Sequence, residues 1–210
     1  MKKTGVLVGG QGGQGVLELG NYIAYNALAA GKHVAFTPSY GPESRGGRVK
    51  CFVVISDGNI DSPIVERPDY LIAMNSQSMG FVSGLVPGGT LIMNSSMIAV
   101  QTDRKDITVI GIPATDIAAT VAIRHGIPET GIAANCVMLG CFLELSHGGA
   151  DEKALLVVFD HFLRGSKSRF IAVNMEAAKQ GRTYAVSTGS AGKAMMRRRN
   201  EKIALPLHSG

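Results

Sequence analysis

The sequence has no tryptophan, and aromatic residues make up only 6% of it. Its packing must come from aliphatic side chains and from its 27 glycines, which suits closely stacked α/β layers. Cysteine is equally sparse. Cys51, Cys136 and Cys141 form no CxxC pair, so the spacing supplies no disulfide framework, zinc site or iron–sulfur motif. They read as small buried side chains in a reducing compartment. No uninterrupted apolar run reaches the roughly 18 residues of a membrane span. The one stretch resembling a leader, after Lys2 and Lys3, is cut short by the glycines from Gly9 to Gly15. A cytoplasmic chain is expected. Aromatic–basic interleaving is absent and the net charge of +5 is modest, which argues against nucleic acid. There is no G-x-S-x-G elbow and no HExxH, and His33, His125, His147, His161 and His208 are scattered. The sequence offers no complete reaction centre.

What is present begins with the stretch from Thr4 to Cys51. An apolar strand, Gly5 to Gly9, runs directly into Gly10-Gln11-Gly12-Gly13-Gln14-Gly15 and then a helical pattern to about Ala30. Glycines 10, 12 and 15 have dinucleotide-fingerprint spacing, which permits a tight turn, a close ligand approach and close helix–strand packing. The unpaired N–H groups of the first helical turn favour an anion there. A nicotinamide site would also need an acid about twenty residues on. None occurs between Glu18 and Glu43, so NAD is disfavoured, and NADP rests loosely on Arg45 and Arg48. Three readings stand open at the turn: packing alone, anion or nucleotide binding by this chain, and a site completed by another subunit.

A second chemical concentration lies in the loop from Thr37 to Arg48. Pro38 and Pro42 stiffen it, and Gly41, Gly46 and Gly47 allow tight turns. Tyr40, Glu43, Arg45 and Arg48 supply an amphipathic ring and charges of both signs. This loop follows the second strand as the glycine turn follows the first, so both are expected to border one crevice at the strand C-termini. Arg45 can clamp a carboxylate or phosphate, or pair with Glu43 to hold the loop.

Further on, the apolar runs Val49–Ile55, Tyr70–Met74, Thr90–Met93 and Ile107–Ile112 read as strands, with Ile60–Val65 as a short extended piece. Asn75 and Ser76 are positioned to cap a helix ending near Leu85. Helices are expected over Thr115–Arg124, about Gly131–Leu145, from an Asp151 cap to about Leu163, and over Ser166–Gln180 as a surface helix ended by Gly181. The fold class is α/β: a single Rossmann-like domain with a mostly parallel sheet covered on both faces, plus a C-terminal helical extension and tail. The expected division is a domain over 1–183 and a basic tail over 184–210, carrying Arg197-Arg198-Arg199 and serving as a partner-contacting arm.

The Gly10–Gly15 turn, the run Ser39-Tyr40-Gly41-Pro42-Glu43-Ser44-Arg45-Gly46-Gly47 and Ile60-Asp61-Ser62-Pro63 together resemble the gamma component of 2-oxoacid:ferredoxin oxidoreductases. This is the pyruvate/ketoisovalerate oxidoreductase catalytic domain family, and the resemblance is closest to 2-oxoglutarate (KorC-like) gamma subunits. Asn135-Cys136-Val137-Met138-Leu139-Gly140 and Asn174-Met175-Glu176-Ala177-Ala178 extend the resemblance over roughly residues 5 to 180. It implies one subunit of a hetero-oligomer that decarboxylates a 2-oxoacid with thiamine diphosphate, passes the acyl group to coenzyme A and reduces ferredoxin. It further implies that alpha and beta subunits hold the diphosphate and Mg2+, and that iron–sulfur clusters sit on beta or on a small ferredoxin-like delta subunit. Gly10, Gly12, Gly13, Gln14 and Gly15 would form an anion- or coenzyme-A-proximal turn. Tyr40, Glu43, Arg45, Gly46, Gly47 and Arg48 would form a partner- or site-facing loop. No catalytic or metal-binding residue is assigned to this chain. The competing readings are a free-standing NAD(P)- or flavin-dependent oxidoreductase and a non-catalytic nucleotide-binding scaffold.

Overall fold

The computed structural model describes residues 2–41, 47–100, 102–127, 133–146 and 152–203, with side chains to residue 188 in the last segment. Among these residues, six strands form one sheet: β1 (Lys3–Gln11), β2 (His33–Tyr40), β3 (Arg48–Ser56), β4 (Tyr70–Ala73), β5 (Thr90–Asn94) and β6 (Thr108–Ile112). Their order is β2-β3-β1-β4-β5-β6. β1, β4, β5 and β6 run parallel, as their apolar runs predict for strands buried on both faces. The first half departs from that pattern. β2 and β3 pair antiparallel, with Tyr40 opposite Val49, and β3 pairs antiparallel with β1, with Gln11 opposite Arg48. β2 therefore points the same way as β1 but is separated from it by β3, and the sheet is mixed.

Among the described residues, five α-helices accompany it: α1 (Val16–Ala29), α2 (Ala114–Arg124), α3 (Ala134–Leu145), α4 (Glu152–Phe162) and α5 (Ile171–Ile203). Leu19 and Ile23 of α1, Met138 and Phe142 of α3, and Phe159 of α4 join Val6, Val8, Ile72 and Ile92 in the main core. The alternate strand residues Leu7, Leu71, Ala73 and Leu91 face the other way, toward Val82, Leu85 and Ile98. That second face carries the segment Ser76–Gly84, a 3-10 helix in place of the expected α-helix. Asn75 caps it as anticipated, its side chain accepting from the Ser78 N–H at 3.1 Å. Ile60–Val65 joins no strand pair.

Glycine governs how close the layers come. A Cβ at Gly20 would strike Cys51 Sγ and Phe36, so α1 lies on β2 and β3 only because that side chain is missing. The same holds where α5 crosses α3. A Cβ at Gly140 would meet the Ala178 carbonyl, and one at Gly181 the Val137 carbonyl. This corrects two expectations. Gly181 does not end the last helix, and the helix is not a surface one: Val173, Ala177, Ala178 and Ala185 are buried against the body. Its regular turns begin at Ile171, after a 3-10 turn over Gly165–Phe170, and continue past residue 183 to Ile203. The residues Gly131 and Asp151, assigned above to helix boundaries, lie outside the described residues, as does His147.

Candidate functional site

The C-terminal end of β1 delivers the chain into the glycine turn, and the turn's own side chains hold its shape. The Gln11 N–H donates to Gln14 Oε1 at 2.9 Å, and Asn75 Nδ2 reaches Gln11 Oε1 at 3.4 Å. Gln14 N–H closes the loop onto the Gln11 carbonyl at 3.2 Å. Gly10 is forced by proximity, since a Cβ there would strike Val16, Gln14 and Met74. Gly13 and Gly15 are forced by backbone angle, with φ of 91° and 68°.

The hairpin tip lies directly beside this turn. Gly12 N–H donates to the Gly47 carbonyl at 3.1 Å, and Gly41 N–H to the Arg48 carbonyl at 2.7 Å. Both sequence-singled loops therefore occupy one end of the sheet, because β2 and β1 share a direction. Tyr40 projects there with 69% of its surface exposed. Arg48 is exposed beside Gln11. Glu43, Arg45 and Gly46 lie outside the described residues.

On its other side the turn faces a cleft of about 330 Å³, walled by Gly13, Gln14, Gly15, Ala133, Asn135, Phe170 and Asn174, with Lys167 and Glu18 among its lining residues. Two helix starts converge here. Gly15 precedes α1, and Ala133, the only non-glycine residue with positive φ (69°) among those described, precedes α3; neither start has a side-chain cap at its N-cap residue. Asn135 ties them together, donating from Nδ2 to the Gly15 carbonyl at 3.3 Å. A Cβ on Gly15 would collide with that amide. The N–H groups of the first turn of α1 thus stay available. By contrast, α2 begins against Asn94, whose Oδ1 accepts from the N–H groups of Ala114 (3.1 Å) and Thr115 (3.4 Å). Asn174 is buried, 6% exposed, and lines the cleft, and its side chain has no hydrogen-bond partner among the described residues.

Asn135, Asn174 and Lys167 were not read as site residues from sequence, although the first two stand in segments that carry the family resemblance. The packing of α3 against the start of α1 brings Asn135 to the glycine turn, and the segment from Gly165 into α5 brings Lys167 and Asn174. The arrangement can receive an anionic or hydrogen-bonding group through donors: backbone N–H groups, the Asn174 amide and the Lys167 ammonium.

Acid–base and metal chemistry find little support elsewhere. Burial pushes the thiols of Cys51 and Cys141 up to about 12, and that of Cys136 upward as well, so all three stay protonated. Among the described residues, no three His, Cys, Asp or Glu side chains converge as metal ligands. No described helix is long and apolar enough to cross a membrane.

Comparison with known proteins places these features. The family model for pyruvate ferredoxin/flavodoxin oxidoreductase matches residues 5–184. Ketoisovalerate oxidoreductase subunit VorA of Methanothermobacter marburgensis is 35% identical over 184 residues, covering 88% of this chain. The chain spans only 37% of that protein's length. The 2-oxoglutarate synthase subunit KorC of Methanocaldococcus jannaschii is 32% identical over 169 residues, covering 78% of this chain and 86% of that one. Among solved structures, the gamma subunit of a keto/oxoacid ferredoxin oxidoreductase from Geobacter sulfurreducens superposes with a TM-score of 0.68 at 26% identity, covering 88% of this chain and 99% of that one. The match from β1 through the buried part of α5 takes in the glycine turn, the hairpin and both asparagine segments, and the chain belongs to the pyruvate ferredoxin/flavodoxin oxidoreductase family.

Proposed function

We propose that this chain is the gamma subunit of a thiamine-diphosphate-dependent 2-oxoacid:ferredoxin oxidoreductase. The complex would convert a 2-oxoacid and coenzyme A to acyl-CoA and CO2 while reducing ferredoxin. This chain contributes a docking end rather than a reaction centre. The observation that carries the reading is the Gly12–Gly47 hydrogen bond, which joins the glycine turn and the hairpin tip into one surface. Tyr40, Glu43, Arg45, Gly46, Gly47 and Arg48 face the alpha and beta subunits. Residues 184–210, with their Arg197–Arg199 run, add a basic arm to those contacts.

The glycine turn serves coenzyme A. Its cleft presents several donors beside the Glu18 carboxylate: the first-turn N–H groups of α1, Asn174 and Lys167 would hold phosphate oxygens. When bound, coenzyme A supplies the thiol that accepts the acyl group. This chain's part is to anchor the far end of that cofactor and keep it oriented toward its partners. Thiamine diphosphate, Mg2+ and the iron–sulfur clusters belong to the partner subunits in this reading.

Among substrates we favour 2-oxoglutarate, because the KorC relative is matched over most of its length. The VorA relative supports ketoisovalerate, and a pyruvate synthase subunit, PorC of Thermotoga maritima, supports pyruvate. The test is copurification of the tagged full chain with its partners, followed by coenzyme-A-dependent dye reduction with each 2-oxoacid. Partner capture and turnover by the complex, but not by the chain alone, are the expected results. A chain that purifies alone with a bound redox cofactor and turns over would overturn the proposal.

A further inference from the structure

The opposite end of the sheet holds a second cavity with a different chemistry. It occupies about 210 Å³ where the last turns of α1 and α3 meet the start of β1 and the end of β3. Its walls are Ile23, Ala27, Ile55, Phe142 and Leu143. The room is several times the roughly 30 Å³ that one water occupies in the liquid.

One atom there is out of balance. Asn26 is 3% exposed, and its Nδ2 is the only fully buried side-chain nitrogen or oxygen among the described residues without a hydrogen-bond partner. Buried amide N–H groups are almost always paired, because leaving one unpaired costs about 1–3 kcal/mol. A position on an α-helix accepts alanine or leucine readily, so helix formation does not call for asparagine here.

The remaining polar groups are also biased toward donation. Two helices end at this cavity, and their terminal carbonyls would ordinarily be its acceptors. Several of them are already engaged: the Ala30 N–H donates to the carbonyls of Asn26 and Ala27, Lys32 N–H to Ala27, Ser146 N–H to Phe142, and Ser146 Oγ to Leu143. Ser56 is 4% exposed, and its Oγ accepts from the Gly58 N–H at 3.2 Å, which leaves its own proton to give. Among the described residues, Lys2 and Lys32 stand at the mouth against one carboxylate, Asp57, which Lys32 pairs at 2.6 Å, so one positive charge is left over among them.

We infer that this cavity is a binding site for a small aliphatic monocarboxylate. The carboxylate accepts from Ser56 Oγ beneath the Lys2 ammonium and, once the Asn26 amide turns into the cavity, from Asn26 Nδ2, and the hydrocarbon part lies on Ile23, Ile55, Phe142 and Leu143. It is separate from the glycine turn, which lies at the other end of β1, and it does not rest on the reading given for that turn. A ligand here bridges α1, α3 and the β1–β3 pair, so its effect on the distant end would pass through the helices whose starts line the first cleft.

The test is calorimetric titration of the full chain near pH 7 with isovalerate, and in parallel with 3-methylbutan-1-ol, which has the same hydrocarbon part but no charge. Saturable isovalerate binding is expected, at least about tenfold tighter than the alcohol. Asn26→Leu should weaken it by about tenfold or more while holding or raising Tm, since it removes the unpaired amide. Should that variant fail to fold, Lys2→Ala at the exposed mouth takes its place and should weaken isovalerate binding severalfold without touching the alcohol's. The inference is overturned by absence of saturation up to about 20 mM, by equal binding of acid and alcohol, or by unchanged isovalerate binding in the folded variant tested.

Discussion

Gly181 of α5 rests directly on the backbone carbonyl of Val137 in α3, with no room for a side chain between them. One turn away on each helix, Gly140 meets the Ala178 carbonyl in the same fashion. The two contacts make the α3–α5 crossing a backbone-to-backbone one. Gly181→Ala and Gly140→Ala should each destabilise the chain by about 1–3 kcal/mol through overpacking, despite alanine's better helix propensity. Gly80→Ala, where a Cβ meets nothing within 4 Å, is the control and should change little. Urea-unfolding midpoints at constant m-value provide the measurement.

The turn can be dissected in the same way. A Cβ at Gly13 would touch nothing, so Gly13→Ala should cost only the backbone penalty of φ 91°, about 1–2 kcal/mol. Gly15→Ala combines that strain with a collision against Asn135 and should cost more. Adding Asn135→Ala should recover part of the excess at Gly15 and none at Gly13. A double-mutant cycle on unfolding free energies reads the coupling.

Tyr40 is exposed and carries no load in the fold. Tyr40→Ala should leave Tm within a degree or so and lower the yield of copurified partners. Arg45→Ala, in the same loop, should reduce assembly or raise the coenzyme A KM. Unchanged complex formation and kinetics in both would make this loop an ordinary solvated one.

Glu176 gives the fold a pH dependence. His125 Nε2 at 2.8 Å and Arg124 Nη1 at 3.1 Å hold its carboxyl below the usual carboxylate range. A depressed folded-state pKa means that this contribution is present above the unfolded value of about 4.3 and fades as pH falls through the lower folded one. Glu176→Gln should therefore be less stable than the parent near pH 7, with the gap closing toward about pH 3. The pair ties the end of α2 to α5, so a gap that stays constant with pH would assign the loss to packing instead.

The cysteines offer a check on burial. With Cys51 and Cys141 thiols pushed up to about 12 by desolvation, and Cys136 raised too, none should react with Ellman's reagent in the native chain near pH 8. All three should react in denaturant. Fast native labelling of any one would mean that the helices open locally.

Reading from sequence reached the β1–turn–α1 unit, the Asn75 cap and the meeting of two loops at one end, because each has a local cause: glycine angles, a side-chain oxygen within three residues, and strand direction. Strand order escaped it. Nothing in Val49–Ile55 announces that it inserts between β1 and β2, since a nearly all-apolar strand looks the same in either direction. Gly181 misled for a related reason. In isolation a glycine lowers helix propensity, but here the helix is held by the contact its bareness permits. Asn135 and Asn174 were visible as part of a family pattern yet not as neighbours of Gly15, because only tertiary packing unites them.

The hairpin has one further implication. Gly41 is pinned to Arg48 and Gly47 to Gly12, so the pairing of β2 with β3 and the seat of β3 beside the glycine turn are held by backbone atoms alone. Side chains at Tyr40 and Arg48 can therefore be exchanged for recognition without loss of these two ties.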